Sequence, residues 1–107
     1  MEKQQLEPIL QVLKQGLIER YQDLLSSIVL YGSQARGEAT ENSDIDILVI
    51  LKSLVHPCDE IDKTLDFITQ ICLDYDVVIS WQFVSLEKFE SQNSPFLANV
   101  KREGVLL

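Results

Sequence analysis

Ile28-Val29-Leu30-Tyr31-Gly32-Ser33-Gln34-Ala35-Arg36-Gly37, followed after a polar segment by Asp44-Ile45-Asp46-Ile47-Leu48-Val49-Ile50-Leu51, is the most informative part of this 107-residue chain. The run 28–31 is short and wholly apolar, which fits a strand buried on both faces, and Gly32 halts it in a tight turn. Residues 33–36 are long enough for one short helix before Gly37, and Glu38 to Ser43 reads as a polar loop. Residues 44–51 then form a second strand that is acidic on one face at its start and strongly apolar afterwards.

Outward from this centre, the periodicities alternate between helix and strand. Leu6, Ile9, Leu10, Leu13, Leu17, Ile18, Tyr21, Leu24 and Leu25 recur at steps of three and four, which predicts an opening helix with one apolar stripe. Beyond the second strand, Pro57 suits a first helical turn, and Ile61, Leu65, Ile68, Ile71 and Cys72 mark an amphipathic helix. Residues 77–84 predict a third strand, with Val77, Ile79, Trp81 and Phe83 on its apolar face and Asp76, Val78, Ser80 and Gln82 on the other. Ser94-Pro95 caps a final helix, Lys101 and Arg102 favour its last turn, and Gly104 stops it. Val105-Leu106-Leu107 can add an edge strand. There is no internal repeat, low-complexity tract or linker, so residues 1–107 are expected to form a single α/β unit.

Composition narrows the function. One modest core leaves little room for a second substrate-binding lobe, so a large acceptor must be held partly by something else. No apolar run approaches the roughly 18 residues of a membrane span, and Met1-Glu2-Lys3-Gln4-Gln5 does not resemble a secretory signal, so a soluble cytoplasmic protein without membrane partners is expected. Seventeen acidic against nine basic side chains give a net charge of -8. That charge repels a phosphate backbone and disfavours nucleic acid as the main ligand. Cys58 and Cys72 lack metal-type spacing and are expected to be buried free thiols. His56, beside Pro57, reads as a loop or helix-start residue and is assigned no chemistry.

The chemistry lies in the central stretch. Residues two apart on a strand point the same way, so Asp44 and Asp46 present two carboxylates on one face, roughly 7 Å apart along the backbone. Such a pair can hold Mg²⁺ while phosphate oxygens and water complete the octahedron. A third carboxylate on an adjacent strand would allow two ions roughly 3.5–4 Å apart. Asp76, on the polar face at the start of the third strand, is the candidate for it, whereas Asp74, ending the second helix, reads as a solvated surface acid. Gly32-Ser33 follows a strand and opens a helical turn, so its backbone N–H groups and hydroxyl can meet a phosphate closely. Arg36 on the same turn can add a fixed positive charge. Either element alone is most often a turn or a solvated acid pair. Together they offer anion binding and cation binding across one cleft, as a Mg-nucleotide requires.

Gly32-Ser33-Gln34-Ala35-Arg36-Gly37 followed by Ser43-Asp44-Ile45-Asp46 resembles the nucleotidyltransferase superfamily related to the DNA polymerase β palm, and within it the minimal nucleotidyltransferases, or MNT proteins. The resemblance implies an α/β (α+β) palm-like fold, a small mixed sheet flanked by helices. It implies triphosphate binding by Gly32 and Ser33, and magnesium binding by Asp44, Asp46 and Asp76, with Arg36 matching the family's arginine. ATP is the implied donor, with two Mg²⁺ ions. Many MNT proteins are antitoxins that silence a HEPN-type ribonuclease toxin by adding AMP to one of its tyrosines, so the resemblance also implies a toxin partner. An acidic enzyme suits a basic partner by charge complementarity.

Three other functions compete with protein AMP transfer. Similar palm domains modify small molecules such as aminoglycosides, but those enzymes usually carry an acceptor domain. A contact-only antitoxin would have no physical need to pair a Gly-Ser turn with Asp-x-Asp. Template-dependent polymerisation is opposed by the missing domains and the acidic surface.

Overall fold

The opening helix α1 spans Lys3–Tyr21. In the computed structural model, which describes residues 2–38 and 44–107, this helix buries Leu6, Ile9, Leu13 and Leu17, the last two without any exposure. The stripe is narrower than its periodicity suggests. Ile18 inside α1 is 40% exposed, and Leu24 is 50% exposed because the helix stops at Tyr21 and a single 3-10 turn, Gln22–Leu24, leads into the sheet. Leu25, expected to end the helix, opens strand β1, Leu25–Tyr31.

A short helix α2, Gly32–Arg36, follows without a linker and ends on Gly37, whose φ of 73° gives the left-handed cap that glycine adopts without strain. Strand β2, Ile45–Leu51, is buried from Ile47 to its end. The expected loop from Glu38 to Ser43 lies, beyond Glu38, outside the described residues. Helix α3, Pro57–Tyr75, has Pro57 at its start and His56 at its N-cap. Strand β3 is Ile79–Ser85. Helix α4, Leu86–Ser91, was not anticipated; the Ser85 hydroxyl accepts from the Lys88 N–H at 3.2 Å and caps it. Helix α5, Pro95–Glu103, is capped by Ser94 in the same way, and β4, Val105–Leu106, is the expected edge strand.

The strands lie in the order β3-β2-β1-β4. β1 runs antiparallel to both β2 and β4, and β3 runs parallel to β2, so the sheet is mixed. Alternation sends Ile28 and Leu30 of β1, Ile45, Ile47 and Val49 of β2, and Ile79 and Phe83 of β3 to one face, where α1 and α3 cover them. Val29, Leu48 and Ile50 point to the other, under Leu97 and Val100 of α5 and Leu86 and Phe89 of α4. Each fully buried aliphatic side chain contributes about 1.5–3 kcal/mol, so the two-sided burial of β2 anchors the sheet. α1 and α3 approach closely because Gly16 has no side chain: a Cβ there would overlap the Phe67 ring. The Arg20 guanidinium lies 4.1 Å from the centre of that ring and covers it.

Both cysteines are free, but Cys58 is exposed on the first turn of α3, where the expected burial does not hold; Cys72 is half-buried. No helix among the described residues is long and apolar enough to cross a membrane.

Candidate active site

Asp46 is the fixed point of the site. Ile45 and Ile47 belong to the α1/α3 side, so Asp46 between them faces the α4/α5 side, the side of Leu48 and Ile50. Asp44, two residues earlier and exposed, shares that face where the strand begins. Residues paired directly across a sheet project to the same side. Asp46 is paired with Tyr31 on β1 and with Ser80 on β3. The floor around the acid pair is therefore Tyr31, Asp46 and Ser80, in that order across three strands.

Gly32 has a φ of 72°, and a Cβ built on it would collide with Asp46 Oδ2. The Gly32 turn thus lies directly against the carboxylate, in a left-handed conformation that glycine adopts without strain. Ser33 is next in the turn, and its carbonyl accepts from the Glu38 N–H at 3.0 Å, closing the end of α2. Burial pushes the Asp46 carboxyl above the ordinary carboxylate range, the neighbouring Asp44 charge pushes it further, and Arg36 opposes both. Asp44 and Arg36 thus act electrostatically on Asp46, and Gly32 lies against the same carboxylate. Like charges held together at the mouth of a strand, with one partly desolvated, are of the hard-oxygen kind that could hold a divalent cation.

Arg36 is more occupied than the sequence suggested. Its Nε donates to Glu38 at 3.1 Å and its Nη1 to Glu103 on α5 at 2.9 Å. The guanidinium is thereby held between the end of α2 and the last turn of α5. Glu103 lies 67 residues away in sequence, and no local signal indicated it. Tyr31 was also missed as part of the site. Its ring meets Phe96 of α5 edge-on, with centroids 5.4 Å apart, and burial together with the Asp46 charge pushes its hydroxyl pKa up.

The expectation for Asp76 requires correction. β3 begins at Ile79, so Asp76 is not at the start of a strand; it caps the C-terminus of α3 in a left-handed conformation, with φ 53° and ψ 52°. It is exposed, and it is not among the charges that act on Asp46. No group of three or more acids, histidines or cysteines capable of holding a metal occurs among the described residues. Asp44 and Asp46 come together; Asp76 does not join them. Ser43, the first residue of the Ser-Asp-Ile-Asp motif, lies outside the described residues.

A groove of about 570 Å³ beside α2, between α1 and β4, is lined mainly by apolar residues such as Leu6, Leu10 and Leu106 and contains neither aspartate. It is distinct from the acidic site.

A mixed sheet that sets a glycine turn against paired carboxylates at the start of an inner strand is the architecture of an enzyme that transfers nucleotides. The chain belongs to the family described as "Nucleotidyltransferase domain", whose sequence profile matches residues 10–97. Among curated proteins, it is 38% identical over 93 residues to "Putative protein adenylyltransferase MJ0604" of Methanocaldococcus jannaschii, covering 86% of this chain and 87% of that protein. It is also 38% identical over 81 residues to "Putative protein adenylyltransferase MJ1305" of the same organism, covering 75% of this chain and 55% of the other. Among solved structures, one described as "Crystal structure of the toxin-antitoxin with AMP-PNP" matches with a TM-score of 0.62 at 20% identity, over 90% of this chain and 69% of that one. Another, a crystal structure of a mutant of the toxin-antitoxin MntA-HpeT, matches with a TM-score of 0.58 at 22% identity, over 89% and 68%. These two structural likenesses bear on the fold.

Proposed function

We propose that this nucleotidyltransferase moves AMP from ATP to a hydroxyl of a protein, and that the acceptor is a tyrosine of a HEPN-type toxin which the chain neutralises in the cytoplasm. The observation that carries this reading is the contact between the Gly32 turn and Asp46, which joins an anion-binding turn to a cation-binding pair. The protein adenylyltransferase names of the relatives support the acceptor class, and the toxin-antitoxin solved structures support the partner.

In the reaction, the acceptor hydroxyl gives up its proton to solvent water, its oxygen bonds to the α-phosphorus, the α–β phosphoanhydride bond breaks, and pyrophosphate leaves. The Gly32 and Ser33 backbone N–H groups and the Ser33 hydroxyl hold the triphosphate, and Arg36 adds positive charge beside them. Asp44 and Asp46 would hold Mg²⁺, which when bound would supply charge neutralisation on the phosphates and lower the pKa of the attacking hydroxyl. Tyr31, braced by Phe96, forms the wall beside Asp46.

The test is incubation with α-labelled ATP and Mg²⁺, with and without the product of the neighbouring gene, followed by gel and mass spectrometry. Label on a tyrosine of the partner, lost with Asp44→Asn, is the expected result. Label on a small molecule in the absence of any protein acceptor would move the assignment to that substrate class. Neutralisation of the partner by an Asp44→Asn/Asp46→Asn chain would instead make the protein a contact-only antitoxin.

A further inference from the structure

β3 runs parallel to β2 and pairs with it residue for residue, Ile45 with Ile79, Asp46 with Ser80 and Ile47 with Trp81. Side chains paired in this way share a face, and the apolar sets agree: Ile45, Ile47, Ile79 and Phe83 lie together on the α1/α3 side. Ser80 is therefore the β3 side chain that stands beside Asp46. One step back towards the strand start, the Ile45 N–H donates to the Val78 carbonyl at 2.9 Å, so the β3 residue nearest Asp44 is the apolar, exposed Val78. Asp76, two residues further back, lies outside the strand in the left-handed cap of α3.

From this register we infer that β3 contributes a hydroxyl, Ser80, to the acid pair where a third carboxylate would otherwise stand, so the site binds one divalent ion with nucleotide. The inference rests on the nucleotide-transfer reading above. Two carboxylates with phosphate oxygens and water satisfy one Mg²⁺. A second ion some 3.5–4 Å from the first would add two positive charges that need a further anionic ligand. A neutral serine supplies none. Ser80 is a positioning residue in this arrangement: its hydroxyl can hydrogen-bond to Asp46 or to an ion-bound water and fix their orientation. Asp76 has no part in it.

The experiment counts Mn²⁺ bound to the folded protein with a non-hydrolysable ATP analogue, by calorimetry and by electron paramagnetic resonance, alongside transfer assays of Asp76→Asn and Ser80→Asp. The expected results are one Mn²⁺ per nucleotide in the unmodified chain and transfer by Asp76→Asn within about threefold of it. Ser80→Asp, if folded, gains a second Mn²⁺. Two Mn²⁺ ions in the unmodified chain, or an Asp76→Asn chain that stays folded and loses transfer about a hundredfold, would overturn the inference. Asp76 is exposed, so its conservative variant keeps the test decisive even if Ser80→Asp fails to fold. A chain that binds one Mn²⁺ with nucleotide but labels no acceptor would sink the transfer reading while leaving the ion count in place.

Discussion

The Cα of Gly32 faces the Asp46 carboxylate so closely that no side chain fits between them, and its φ of 72° is one that other residues adopt only at a cost. Both facts apply to Gly32→Ala. The left-handed conformation alone costs about 1–2 kcal/mol for a residue with a Cβ, and the new methyl pushes the Asp46 carboxylate out of its place. Chemical denaturation should show a loss of that size, while nucleotide transfer falls by far more, about a hundredfold or greater. Transfer reduced only in proportion to the folded fraction would show that the contact has no role in the chemistry.

Asp46 should make the protein less stable than it could be. Its carboxyl pKa is raised by burial and by Asp44, so the folded state holds that proton more readily than the unfolded state does. Stability linked to this group therefore rises as pH falls through the raised pKa, and the penalty is fully present at neutral pH. Asp46→Asn should accordingly raise Tm at pH 7 in the absence of divalent ions, with the advantage shrinking towards about pH 4, where the ordinary carboxylate is protonated. Mg²⁺ with ATP should raise the Tm of the unmodified chain and leave the variant unmoved. Scanning calorimetry at several pH values checks both, and a variant less stable than its parent at pH 7 would contradict the electrostatic account.

Arg36 joins α2 to α5 through Glu38 and Glu103, and its planar fork is suited to serve two carboxylates and a phosphate together. Arg36→Lys keeps the charge but loses that geometry. One charge-assisted hydrogen bond to phosphate is worth about a tenfold change in binding, so KM for ATP should rise by about that factor with a smaller change in kcat. Because the guanidinium is exposed, the thermal midpoint should hardly move. A kcat loss at constant KM would instead place Arg36 at the transition state.

Much of this architecture was legible in the sequence because local rules and burial agree there. The Ser94-Pro95 cap, the unbroken apolar run of β2, and the alternation that sends Trp81 one way and Ser80 the other all survive folding, since nothing in the tertiary structure opposes them. The elements that were missed depend on the third dimension. Asp76 precedes a β-rich run and looks like a strand residue, but the Val77 N–H donates to the Cys72 carbonyl at 3.1 Å, prolonging the helix cap and delaying the strand until Ile79. Glu103 reaches Arg36 only because α5 lies beside α2, and Tyr31 meets Asp46 only through the β1–β2 register. Cys58, on the outward side of the first turn of α3, follows its helix position and not the usual burial of its residue type.

β3 owes part of its position to one buried hydroxyl, which yields a further prediction. The Trp81 indole N–H donates to Thr64 Oγ1 at 2.9 Å, and that hydroxyl donates in turn to the Glu60 carbonyl at 2.8 Å, so α3 holds the strand that carries Ser80. Thr64 has no exposed surface, and water cannot easily replace its oxygen. Thr64→Val preserves the shape and leaves the indole N–H without its acceptor, which costs about 1–3 kcal/mol. For a domain of about 100 residues, each kcal/mol lowers Tm by about 4–8 °C. Thr64→Ser keeps the oxygen and gives up one buried methyl, about 1 kcal/mol, so it should retain the shifted indole proton resonance that Thr64→Val loses. A valine variant as stable as the parent would mean that packing alone, without this hydrogen bond, sets β3 in register with Asp46.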